Sequence, residues 1–176
     1  MERRMVTTVT DCPGRIVPVG TPITIPKDNF VTITQALGGN YTVTYNGNMV
    51  RVDGTDAAAL GLEPEVLEFE QPDGDDIVEE QVWDALRTVF DPEIPVDLVN
   101  LGLIYKVEID QSAKSVYIEM TLTAPGCGMG PVITEDVKTK LEHVPNVDKV
   151  TVELTFDPPW NNDMLTDEAK LELGML

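Results

Sequence analysis

Apolar and polar positions alternate in short runs over the first third of the chain, then change period. "NFVTITQAL" places Val31 and Ile33 two residues apart, and "YTVTY" does the same for Val43 and Tyr45, the spacing that puts side chains on one face of a strand. Asn46-Gly47 between "YTVTY" and "NMVRVDG" suits a tight hairpin turn, because the favoured two-residue turn needs positive φ at both central positions. Together with "RIVPVG" and "TPITIP", these runs predict a small β-barrel or sandwich, followed by one turn of helix near "TDAAALG". "EPEVLEFEQPDGDD" comes next. Its two prolines, one glycine and seven acids without a base read as a linker or loosely docked segment.

Beyond it the period lengthens. "DIVEEQVWDALRTVF" carries Val78, Val82, Leu86 and Val89 at helical spacing, with Asp76 and Glu79 placed as a capping pair and Asp91-Pro92 as the stop. "LIYKVEI" and "KSVYIEMTLT" return to alternation, the second setting Val116, Ile118, Met120 and Leu122 on one face, with "IDQSA" as the hairpin turn. Pro131 suits a first helical turn, and Val132, Ile133, Val137 and Leu141 continue it as an apolar stripe. "KVTVELTF" is a third strand, and "TDEAKLELG" a short helix stopped by Gly174. The predicted class is α+β. A β-rich N-terminal domain spans residues 1–62, an acidic linker 63–76, and a two-layer α/β domain of order α-β-β-α-β with a short C-terminal helix 77–176, its helices covering one face of a three-stranded sheet.

At 42% hydrophobic residues the chain is rich enough in apolar side chains to fold, and its 176 residues allow one sizeable core or two small ones. The net charge of −19 is uneven: Arg3, Arg4, Arg15, Lys27 and Arg51 balance Glu2, Asp11, Asp28, Asp53 and Asp56 through Leu62, so the whole excess falls on the remainder. That surface repels phosphate backbones, which excludes nucleic acid as a partner. "MERRMVTTVT" lacks the apolar stretch of an export signal, and no run approaches a membrane span. These features place the protein in the cytoplasm, with Cys12 and Cys127 as reduced thiols.

The chemistry concentrates in "TLTAPGCGMGP", where Cys127 sits among Gly126, Gly128 and Gly130 between a strand and a helix. A dinucleotide fingerprint starting at Gly126 would need glycine where Pro131 stands, and a Walker loop would need a Lys and a Ser or Thr that are missing. A Cys-His pair is disfavoured because His143, the single histidine, lies about 18 Å along the helix that begins near Pro131. No C-x-x-C is present for dithiol exchange. Two readings stay open. Cys127 just before a helix N-terminus is a thiolate able to bind a soft metal, or it is a small buried cysteine in a Gly-Pro turn. One sulfur falls short of the roughly four ligands that zinc or an iron-sulfur cluster takes, so a metal site would be shared between chains or completed by carboxylates.

"DPEIPVDLVNLGLIYKVEI", "MTLTAPGCGMGPVI" and "VTVELTFDPPWNNDMLTDEAK" together resemble the PaaD-like domain of iron-sulfur cluster assembly. "DCPGRIVPVGTPITIPKDNFVTITQALGGNYTVTYNGN" resembles the N-terminal region of the SufT family. The resemblance places the family's acidic motif on Asp91, Pro92 and Glu93, its threonine on Thr123 and its reactive cysteine on Cys127, side chains that it implies approach one another around a shallow pocket. From the residues alone, Asp91 and Glu93 lie in an X-Pro turn where side chains usually face solvent, and Pro92 ends a helix. Cys12 in "DCPG" matches the N-terminal pattern, which admits a role beside Cys127, although its local sequence is only a turn.

In "FDPPWNN", Trp160 is either packed over the core edge or, with Asp157, a partner-binding anchor. The resemblance implies an auxiliary factor that performs no turnover of its own and helps assemble iron-sulfur clusters or deliver them to apo-proteins. A transient cluster would sit on Cys127, the partners would be scaffold or carrier proteins and apo-protein clients, and a homodimer would bring two Cys127 thiolates together. Two alternatives belong to other classes: a metal-free adaptor in the assembly machinery, and a thiol redox enzyme using Cys127 alone.

Overall fold

The computed structural model describes residues 3–65, 67–92, 94–124 and 128–175. They divide into two compact units: Met1–Val66 with Pro92–Pro95 and Cys127–Met129, and the rest of the chain from Leu67 onward.

The first unit is built on one six-stranded antiparallel sheet. Its strands are β1 (Arg4–Thr7), β2 (Cys12–Ile16), β3 (Pro22–Ile25), β4 (Phe30–Leu37), β5 (Asn40–Tyr45) and β6 (Asn48–Val52), in the order β1-β4-β5-β6-β2-β3. The alternation buries Val31, Ile33, Val43, Val50 and Val52 on one core with Cys12 and Ile25. Asn46 at φ 49° and Gly47 at φ 78° make the β5–β6 hairpin, as the dipeptide requires. A 3-10 turn over Gly54–Leu60 adds Ala57, Ala59 and Leu60 to the core; Asp53 caps it by accepting from the Thr55 N–H, and Gly61 at φ 75° ends it. The pairing is a single open sheet with β1 and β3 at its ends, where the pattern allowed a barrel or a sandwich. The pattern misses β1, because Met5 is 68% exposed and only Val6 is half-buried, and it shifts β2: the strand starts at Cys12, read as a turn, and ends at Ile16, with the rest of "RIVPVG" in a turn.

In the second unit α1 (Glu79–Leu86), β7 (Ile104–Asp110), β8 (Ser115–Met120), α2 (Gly130–Glu142), β9 (Lys149–Leu154) and α3 (Asp167–Glu172) follow the expected α-β-β-α-β order with a short final helix. β8 is central, antiparallel to β7 and parallel to β9. It therefore buries Val116, Ile118 and Met120 completely or nearly so. The parallel pair needs a crossover, and α2 supplies it while packing on β9 and α1 through Ile133, Val137 and Leu141.

α1 starts later than its apparent capping pair. Its N-cap is Val78, which makes no side-chain cap bond. Asp76 is engaged elsewhere: its carbonyl, like that of Gly74, accepts from Asn146 Nδ2, while Gln111 brackets Ile77 by accepting from its N–H and donating to its carbonyl. Lys114 Nζ donates to the Asp75 carbonyl. Tertiary hydrogen bonds thus fix residues 74–77 ahead of the helix, where a local cap was expected.

One buried segment ties this unit together. Leu98, Leu101 and Leu103 are fully buried, and Asp97 shapes the turn between them by accepting from the Val99 and Asn100 N–H groups. Asn100 in turn takes the Thr166 hydroxyl and N–H, Thr166 being the N-cap of α3. Gly102 sits at φ 78° with any Cβ driven into the Met164 carbonyl. Gly102→Ala is therefore expected to destabilise the protein by at least about 2 kcal/mol, from left-handed strain plus a backbone clash, as read by the urea midpoint.

Candidate functional site

The Leu98–Leu103 segment, within the first motif region, is met by two backbone hydrogen bonds and one from an indole. The Leu98 N–H donates to the Val89 carbonyl at 2.9 Å, two residues before Asp91. The Thr121 N–H donates to the Leu103 carbonyl at 2.9 Å, two residues before Thr123. Trp160 Nε1 donates to the Leu101 carbonyl at 2.7 Å. A single segment is therefore a partner in all three.

Asp91 departs from expectation. It is 8% exposed, not solvent-facing, because the Phe90–Asp97 bridge folds the chain back where an X-Pro turn would project it outward. Thr123 is half-buried just past β8. Glu93 and Cys127 lie outside the described residues. Thr121, which the sequence reading passed over, is fully buried, and its hydroxyl has no hydrogen-bond partner among the described residues. The only sequence signal for it was its position in "TLTAPGCG".

Asp157 is exposed, ahead of a cis bond to Pro158, and Tyr105 donates its hydroxyl to the Pro158 carbonyl at 2.8 Å. Trp160 is half-buried, with its indole N–H committed to Leu101.

Cys12 lies at the other extreme from a ligand. It is fully buried in the core of the first unit, where burial, then the Asp56 carboxylate, push its thiol up to about 11. A neutral thiol sealed among Ile25, Val43 and Val50 does not coordinate metal unless the sheet opens. Among the described residues no group of three or more His, Cys, Asp and Glu side chains is placed to hold a metal ion. No described helix is long and apolar enough to cross a membrane.

Residues 79–154 match the family model described as iron-sulfur cluster assembly protein. An Fe-S protein maturation auxiliary factor of Porphyromonas gingivalis is 51% identical over 98 residues, covering 56% of this chain and 92% of its own length. The Fe-S protein maturation auxiliary factor SufT of Staphylococcus aureus is 45% identical over 87 residues, 49% of this chain and 98% of its own. The chain belongs to the SufT family. Its fold agrees with the crystal structure of a domain of unknown function, DUF59, from Bacillus anthracis, at TM-score 0.52 and 39% identity over 56% of this chain and 92% of that one. In this SufT-family chain the Leu98–Leu103 segment, itself part of the first motif region, is bonded to Val89 and Thr121 by backbone and to Trp160 by its indole.

Two measurements test this description. Between about pH 9 and 11 the unfolded chain ionises Cys12 while the folded chain keeps it protonated, so this contribution to stability is complete below that window and is lost as pH rises through it. The loss is on the order of 2–3 kcal/mol, and it should appear as a steeper fall of the denaturation midpoint with pH in wild type than in Cys12→Ala. Trp160→Phe, which keeps an aromatic ring but leaves the Leu101 carbonyl without its donor, should cost about 1–2 kcal/mol by thermal unfolding; no loss would show that the indole is not a structural anchor.

Proposed function

We propose that the protein is an auxiliary factor of iron-sulfur protein maturation that acts in the cytoplasm. It takes a cluster, as cargo, on the Cys127 thiolate and passes it to apo-proteins without turnover chemistry of its own. The observation that carries this reading is the family: two relatives at 51% and 45% identity, each covered over nearly its whole length, are named Fe-S protein maturation auxiliary factors.

The donor inventory supports transfer over storage. A cluster is normally held by about four thiolates, and the chain has two cysteines, one of them sealed in a core. Cys127 then supplies one ligand, with the others coming from a carrier, from a client or from the Cys127 of a second copy. Such a cluster leaves by ligand exchange as soon as a better donor set arrives. Asp91, Glu93 and Thr123 shape the surroundings of the thiolate, and Trp160 with Asp157 faces the partner. The −19 charge favours docking against basic faces of scaffold, carrier and client proteins.

The test is anaerobic reconstitution of the full chain with iron and sulfide, wild type beside Cys127→Ser, following visible absorbance and oligomeric state together. A chromophore that forms with dimerisation and is lost in the variant is the expected result. No chromophore in either protein would overturn cluster carriage and leave a metal-free adaptor.

A further inference from the structure

Two short pieces of the motif regions belong to the first compact unit, one touching a side chain on the central strand β5 and the other the turn between β2 and β3. The first is Pro92, between Asp91 and Glu93 in the sequence. Its carbonyl accepts from Thr42 Oγ1 at 2.9 Å in a buried hydrogen bond. Thr42 lies on β5 between Tyr41 and Val43 and is 3% exposed. Val43 and Tyr41 point into the core, so the alternation turns Thr42 to the other face of the strand, where nothing in the sheet requires it to be buried.

The second is Gly128, which directly follows Cys127. A Cβ built on Gly128 would run into the Val19 carbonyl, and one built on Gly20 would run into the Gly128 carbonyl. Backbone meets backbone there with no space for a side chain on either partner. The Val19–Gly20 turn between β2 and β3 is itself rigid. Gly20 is at φ 82°, its N–H donates to the Ile16 carbonyl at 2.7 Å, and its carbonyl accepts from Arg15 Nη1 at 2.9 Å.

We propose that the β-rich unit is a clamp on the motif loops: Thr42 holds Pro92, the Val19–Gly20 turn holds Gly128, and together they restrict the motion and accessibility of the Cys127 thiol. Thr42, Val19 and Gly20 are positioning residues in this scheme. They act through the neighbours of Asp91, Glu93 and Cys127 in the chain. The function of the clamp rests on the reading of Cys127 as the transfer point, but its physical content does not.

The experiment is site-resolved alkylation of the full chain with iodoacetamide, counted by mass spectrometry separately at Cys127 and at buried Cys12. Thr42→Val keeps the side-chain shape and removes the donor, Thr42→Ser restores a hydroxyl, and Gly20→Ala forces the turn off Gly128. Loss of either contact should speed modification of Cys127 by about tenfold while Cys12 stays protected, and Thr42→Ser should return close to the wild-type rate. Rates at Cys127 within about twofold of wild type, or slower, in both Thr42→Val and Gly20→Ala would overturn the clamp. So would an acceleration shared by Cys12, which reports global opening. Alkylation needs no cluster, so a failed reconstitution with a positive result here would sink carriage and leave the clamp, and the reverse pair of results would do the opposite.

Discussion

The second unit depends on the hydrogen-bonding capacity of a single buried stretch, Leu98 to Leu103. Its leucines are removed from water, so its N–H and carbonyl groups must find protein partners. They find them in the carbonyl of Val89, the N–H of Thr121 and the indole of Trp160. A buried backbone group left unpaired costs as much as a lost hydrogen bond. Through that penalty, the end of the first helix, the residues after β8 and Trp160 are all tied to one stretch that bears none of the candidate side chains.

This arrangement fits a protein whose task is to present groups. Asp91 is buried at the end of a folded-back turn, and Thr123 is half-buried past the central strand. The chain's two cysteines are fewer than the roughly four thiolates that normally hold a cluster.

Much of the architecture was legible because its determinants are periodic. The alternation of Val116, Ile118 and Met120 marks the central strand, the stripe behind Pro131 marks α2, and Asn46-Gly47 marks a hairpin. What escaped notice is held by contacts with no local signature. β1 is an edge strand with one half-buried apolar residue, so it gives no alternation. The onset of α1 is set by Gln111, Lys114 and Asn146, dozens of residues away, and the Asp76–Glu79 pattern is consequently not used as a cap. The candidate residues Asp91 and Thr123 were legible only through resemblance, whereas Cys127 stood out in its glycine-rich stretch. The burial of Asp91 was not, since it follows from the pairing of Phe90 with Asp97.

The sealed position of Cys12 bears on oxidative stress. A disulfide within one chain would require this sulfur to leave the core formed with Ile25, Val43 and Val50, so ring closure competes against unfolding of the sheet. The folded core thereby keeps this sulfur out of thiol exchange. It acts as a chemical quarantine for Cys12 that lasts as long as the sheet stays folded.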